Sequence, residues 1–178
     1  MPEAGPAPTR HLVVMGVSGV GKSTIAQRLA ADLDLELAEG DDFHPRSNIE
    51  KMSAGQPLTD EDRWPWLEAL AAWTEERRTS GRDTVLTCSA LKRAYRDVLR
   101  RADPDTFFVC LLGDEELLRE RMESRDHFMP ASLLTSQIET LEPLEDDETG
   151  VSVDVGLAVD AVVVRVEGAL GPPPLRDR

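Results

Sequence analysis

A parallel β-sheet flanked by helices, an α/β architecture, is the fold class this sequence predicts, and three observations carry it. Apolar runs of strand length alternate with segments of helical periodicity along the chain, the pattern of repeated β-α-β units. The first run passes through a glycine-rich turn straight into a helical stripe. The 178 residues are the size of one domain able to bury a core of its own.

The elements are expected in order. Strand one lies at about 11–17, where His11-Leu-Val-Val-Met-Gly-Val17 is a continuous apolar run. A helix at about 21–33 follows, with Ile25, Ala26, Leu29, Ala30 and Leu33 at helical spacing. A short second strand at about 35–41 ends in acids, and 44–80 is polar, helical and without strand pattern. Within it Thr59 and Asp62 resemble a capping box, but a cap at Thr59 puts Pro65 inside the helix, so Asp62 is expected as the N-cap. Trp66, Leu70 and Trp73 read as core. A strand at 83–89 precedes a helix at about 91–101, and a strand at 106–112 precedes a helix running to about Arg125. The valine run near 162–166 is rich in β-branched residues, yet Val159, Val162, Val163, Val166 and Leu170 form a helical stripe. The final strand is therefore expected at Val151 to Val155 and a closing helix at about 157–170. Residues 1–10 read as a flexible leader, 11–170 as a single domain, and 171–178 as a disordered tail.

A net charge of −14 and a pI near 4.6 exclude a broad basic face, and with it a nucleic-acid partner. No apolar run approaches the roughly 18 residues of a membrane span. Cys88 and Cys110, both inside expected strands, fit buried reduced thiols better than a disulfide, so the chain is expected to be cytoplasmic.

Gly16-Val17-Ser18-Gly19-Val20-Gly21-Lys22-Ser23 matches the phosphate-binding pattern G-x-x-x-x-G-K-[ST] at every defined position, in the strand-loop-helix context that the pattern requires. The loop N–H groups and the helix N-terminus would cradle the phosphates of ATP, with Thr24 next in line. Lys22 would reach the β- and γ-phosphates and the Ser23 hydroxyl would ligate Mg²⁺. Ligands of open α/β sheets sit at the carboxyl ends of the strands. There lie Glu39-Gly40-Asp41-Asp42, whose acids suit a general base or a solvated turn alike, and His44, which alone reads as structural ahead of Pro45. Lys92, Arg93 and Arg63 fall in expected first turns of helices, where the dipole disfavours cations, so an anion is expected near them; Arg96 shares a face with Lys92. Arg121 and Arg125 end a helix before His127-Phe128-Met129-Pro130, as dipole complements or as arginines of a mobile lid at about 121–132.

Several ordered blocks add to this. Gly40-Asp41 with His44-Pro45, Asn48-Ile-Glu-Lys51-Met52, Gly55-Gln-Pro57-Leu58-Thr-Asp60-Glu-Asp62-Arg63, Cys88-Ser-Ala-Leu-Lys92-Arg93-Ala-Tyr95-Arg96-Asp97, His127-Phe128-Met129-Pro130 and Ser136-Gln137-Ile-Glu139-Thr-Leu141-Glu142-Pro143-Leu144 closely resemble the gluconokinases, P-loop small-molecule kinases related to shikimate and adenylate kinases. The resemblance runs from about Val14 to Glu148. It implies a P-loop kinase fold with a helical substrate segment at about 44–80, and transfer of the γ-phosphoryl group of ATP to the 6-hydroxyl of D-gluconate. It also implies that Asp41 is the base or a hydroxyl ligand and that Glu39 stands near the metal. Arg63, Lys92 and Arg96 would form the polar substrate shell with His44 and His127 beside it, and Arg121 and Arg125 would belong to the lid and bind ATP, with Arg125 acting in catalysis. One departure is Asp126, where the family usually has glycine. Related enzymes are often homodimers. The competing readings are a kinase of another small hydroxy acid, of shikimate type, and a nucleotide-dependent regulatory module, which would need switch segments and an exposed apolar patch.

Overall fold

The first strand, β1 (His11–Met15), is buried along its whole length, and the rest of the molecule is arranged around it. The structure is a computed structural model that describes residues 7–124, 130 and 132–175. Beside β1 stand β2 (Glu36–Glu39), β3 (Thr84–Thr87), β4 (Phe107–Leu112) and β5 (Gly150–Asp154), all parallel, in the order β2-β3-β1-β4-β5. Central strands of a sheet covered on both faces are buried along their length, as β1 and β3 are at every residue and β4 is at its four middle residues.

The helices are α1 (Lys22–Leu33), α2 (Arg46–Ser53), α3 (Asp60–Thr79), α4 (Arg93–Arg100), α5 (Glu115–Glu123), α6 (Ser132–Thr140) and α7 (Val159–Leu170). The expected parallel sheet flanked by helices is what forms. The valine-rich end resolves as the helical stripe required, with Val162, Val163 and Val166 of α7 buried. Cys88 and Cys110 are free and buried. Arg10 donates to the carbonyls of Gly171 and Pro172, so the two ends of the described chain meet.

Two expectations are corrected. Helix α3 begins at Thr59, not at Asp62: the Thr59 hydroxyl accepts from the Asp62 N–H, and the Asp62 carboxylate accepts from the Thr59 N–H. Pro65 therefore does sit inside the helix. The reciprocal cap satisfies two terminal donors, and Asp60, Glu61 and Asp62 all complement the helix dipole. Lys51 also donates to Asp62 at 2.7 Å, and these bonds hold the Asp62 carboxyl down at about 2. Arg63 consequently lies beyond the first turn. Helix α6, for which no element was expected, closes over the end of the sheet that carries the glycine loop.

Candidate active site

At the end of β1 the backbone leaves the strand at Gly16 with φ +141°. A Cβ there would stand 2.7 Å from the Leu111 carbonyl oxygen, so only glycine permits the turn. Val17 and Val20 bury their side chains in the core, which leaves the loop's backbone to face outward. Ser18, Gly19, Gly21, Lys22 and Ser23 line one hollow. The Lys22 ammonium donates to the carbonyls of Gly16 and Val17, each at 3.0 Å. Burial pushes it below its ordinary value, while Asp41, Cys88 and Glu39 pull the other way.

The second wall comes from the end of β2. Ser23 Oγ donates to Glu39 Oε2 at 3.0 Å, and Thr87 Oγ1 donates to the same oxygen at 2.7 Å. These are hard oxygen donors held by their neighbours. A pair of protein oxygens suits Mg²⁺, which keeps its remaining positions for water and phosphate. Among the described residues no cluster of three or more His, Cys, Asp or Glu offers a fuller cage. The chain then enters a 3-10 turn, Gly40–Phe43. A Cβ at Gly40 would fall 2.0 Å from the Thr87 carbonyl oxygen, so glycine alone lets β2 end this close to β3. Trp66 Nε1 donates to the Gly40 carbonyl at 2.7 Å, which ties the turn to α3.

Asp41 extends from that turn into the hollow, half exposed, with its Oδ1 3.9 Å from His44 Nε2. His44 is buried and stacks on Trp66, with centroids 4.1 Å apart and 16° between the planes. Asn48 Nδ2 lies 3.3 Å from His44 Nδ1 and can only donate, so the network assigns the ring proton to Nε2, the side facing Asp41. Burial chiefly, with help from Arg63, lowers the His44 value to about 4 despite Asp41. The ring is neutral at pH 7. Trp66 thus belongs to the core, as expected, and also forms the floor under His44.

Arg63, from the second turn of α3, lines the same hollow, together with Pro57, Leu58, Cys88 and Leu91. Its Nη1 donates to the Tyr95 hydroxyl at 2.7 Å. Burial pushes the Cys88 thiol up to about 12, so it is an inert wall. From α6, Leu133, Ser136 and Gln137 complete the lining, and Gln137 Oε1 accepts from the Ser18 N–H at 2.7 Å. Gln137 did not stand out in the sequence. Its only signal was membership of the Ser136-Gln137 block.

Lys92 and Arg96 do not share an exposed face. Lys92 is the N-cap of α4 and donates to Asp60 at 3.2 and 3.3 Å. Arg96, expected in the substrate shell, is wholly buried away from the hollow. It donates to both carboxylate oxygens of Glu148 at 2.6 and 2.9 Å and to the carbonyls of Ala90, Glu142 and Pro143. Ala90 has φ 44°, a left-handed conformation costly for alanine, and Arg96 holds its carbonyl. The physical reason for the correction is that the chain itself supplies the anion. Arg93 is likewise answered from within, by Glu145 and by Asp147 at 2.6 and 2.8 Å.

On the other side of the glycine loop, Thr24 and Arg121 border a second hollow lined by Val20, Gly21, Ile25, Val155, Leu157, Val159 and Val162. Arg121 Nη2 donates to the Val155 carbonyl at 3.0 Å. Arg125, Asp126 and His127 of the expected lid lie outside the described residues. Most arginines and lysines of this acidic chain meet a carboxylate. Among the described residues Lys22, Arg63 and Arg121 have only carbonyl and hydroxyl oxygens as partners, as Arg10 does at the opposite end of β1. Of these, Lys22, Arg63 and Arg121 border the two hollows beside the loop.

A family model described as an AAA domain matches residues 12–144. The chain is 52% identical over 145 residues to a gluconokinase of Gluconobacter oxydans (strain 621H), covering 81% of this chain and 82% of that one. Among solved structures it is similar to an unliganded sugar kinase from Janibacter sp. HTCC2649, at 53% identity and TM-score 0.89 over 92% of this chain and 95% of that one. It is also similar to a gluconokinase from Sinorhizobium meliloti 1021, at 47% identity and TM-score 0.81 over 90% and 91%.

Proposed function

The chain belongs to the gluconokinase family of P-loop kinases, and on that premise we propose that it transfers the γ-phosphoryl group of ATP to the 6-hydroxyl of D-gluconate, giving 6-phospho-D-gluconate and ADP. The observation that carries the reading beyond kinship is the Arg63 guanidinium. It faces the hollow beside the loop and meets no carboxylate among the described residues, in a chain where most arginines and lysines find one. An anionic substrate group supplies what the chain withholds.

The roles follow from position. Residues Gly16 to Thr24 hold the triphosphate, and the apolar hollow beside Arg121 takes the base. On arrival of the phosphates Lys22 exchanges two carbonyl partners for phosphate oxygens, and its charge follows the γ-phosphoryl group as negative charge shifts in the transition state. Ser23 and Glu39 would hold Mg²⁺, which would supply neutralisation of phosphate charge. Asp41 accepts the proton of the attacking hydroxyl. His44, neutral and with Nε2–H facing Asp41, orients that carboxylate and the sugar. Arg63 holds the gluconate carboxylate. Met52, Leu58, Leu91 and Leu133 keep the walls apolar, which limits the water that could take the phosphoryl group instead. By resemblance alone, Arg125 is assigned to the triphosphate as a lid arginine and His127 to the substrate. Buried free thiols suit a reducing compartment, so the proposed location is the cytoplasm; among the described residues no helix is long and apolar enough to cross a membrane.

The test is ADP release in a coupled assay with gluconate, shikimate and AMP offered separately. Turnover is expected with gluconate. Robust phosphorylation of shikimate or AMP with none of gluconate would refute the assignment.

A further inference from the structure

We propose that Tyr95 is a positioning residue for the sugar-acid carboxylate, its hydroxyl holding Arg63 in the orientation that faces the pocket. The inference rests on the reading of Arg63 as carboxylate ligand. A guanidinium recognises a carboxylate through a planar fork, so its value as a ligand depends on how its plane is held. Here Nη1 donates to the Tyr95 hydroxyl at 2.7 Å, and the guanidinium carbon stands 5.2 Å from the Tyr95 ring centroid. The ring is 1% exposed and packs edge-on against Trp64 at 5.6 Å, which leaves the hydroxyl little freedom.

The hydroxyl that accepts from Arg63 gives its own proton to Asp60 Oδ1. Asp60 is also held by Lys92 Nζ at 3.2 Å. The consequence is electrostatic. A carboxylate stands close to Arg63 without pairing with it, because Tyr95 lies between them and Lys92 neutralises it. Direct pairing would orient the guanidinium equally well but would oblige the substrate to displace an ion pair on entry. With a neutral oxygen as its partner, Arg63 is oriented and keeps its charge for the ligand. Lys92 acts in this arrangement by answering Asp60, not by touching substrate.

Steady-state kinetics on Tyr95→Phe, Arg63→Ala and the double variant test this. Tyr95→Phe keeps the buried ring and removes only the hydroxyl. It is expected to raise KM for gluconate about 3–10-fold, the worth of one such hydrogen bond, with KM for ATP unchanged. In the Arg63→Ala background the same change is expected to have no further effect on gluconate. An effect of equal size in both backgrounds, or none in either, overturns the proposal. If Arg63→Ala raises KM for gluconate and Tyr95→Phe does not, the positioning role alone falls. If Arg63→Ala leaves KM for gluconate unchanged, the carboxylate assignment falls and this inference with it. Should Tyr95→Phe fail to fold, Asp60→Ala with Lys92→Ala removes the hydroxyl's acceptor at no net change of charge and is read by the same criteria.

Discussion

Asp41 and His44 are three residues apart on one short turn, yet their surroundings assign them different work. Asp41 is half exposed in the pocket, free to take a proton, whereas His44 is shut between Trp66 and Asn48. If Asp41 accepts the substrate proton, Asp41→Asn should lower kcat by about 10²–10⁴-fold and leave ATP affinity nearly unchanged, as measured by nucleotide titration beside turnover. A loss confined to ATP binding would make Asp41 a metal ligand. His44 titrates at about 4 when folded against 6.5 in the open chain. Between those values the unfolded state binds more protons, so stability rises with pH there. The contribution is full above about pH 6.5 and is lost as pH falls towards 4. Melting temperatures of wild type and His44→Gln across that interval should converge as pH falls; parallel curves would show that the ring is not held neutral.

Helix α3 shows how one cap sets a wall of the site. The reciprocal Thr59–Asp62 bonds and the Lys51–Asp62 pair start the helix three residues earlier than Pro65 alone suggests, and this start sets where Arg63 and Trp66 emerge. Thr59→Ala should cost about 1 kcal/mol, a fall of roughly 2–4 °C in melting temperature for a domain of this size. A wild-type melting curve would show that the cap carries no load. The local rule against interior proline considers one lost ladder bond and leaves out the Thr59–Asp62–Lys51 bonds at the helix start, and the helix forms across Pro65. Helix α6 leaves little mark in the sequence for a different reason. It is short, and its face is set by the loop it covers, not by a long apolar stripe.

At the scale of the molecule, the Arg96–Glu148 pair joins α4 to the segment that follows α6. Its side chains are fully buried, with Arg100 adding a third bond. Burial works to raise the Glu148 carboxyl, but the bonds from Arg96, the Glu145 N–H and Arg100 prevail and hold it at about 2 against 4.5 in the open chain. Its contribution to stability is therefore full above about pH 4.5 and lost as pH falls through 2. Arg96→Ala leaves that carboxylate buried with one cation fewer and three carbonyls without their donor, so the loss should approach about 3–5 kcal/mol. Thermal melts should show it. Whatever folded protein remains should keep a gluconate KM closer to wild type than Arg63→Ala does, and the opposite ranking would return Arg96 to the substrate shell.

The sequence by itself determined the glycine loop, the strand-helix alternation and the closing helix at the carboxyl end. Each depends on neighbours in the chain: a backbone turn that only glycine can make, a run of apolar residues, a spacing of three and four. It also marked the cations without saying what each one meets. Arg63 reaches a tyrosine 32 positions away, Arg96 a glutamate 52 away and Arg93 an aspartate 54 away. Only the tertiary structure decided which of them the chain neutralises and which it leaves facing the pocket. The reason is physical: a helix start signals that a cation there wants an anion, but whether that anion is a side chain or a substrate depends on what folding brings within 3 Å.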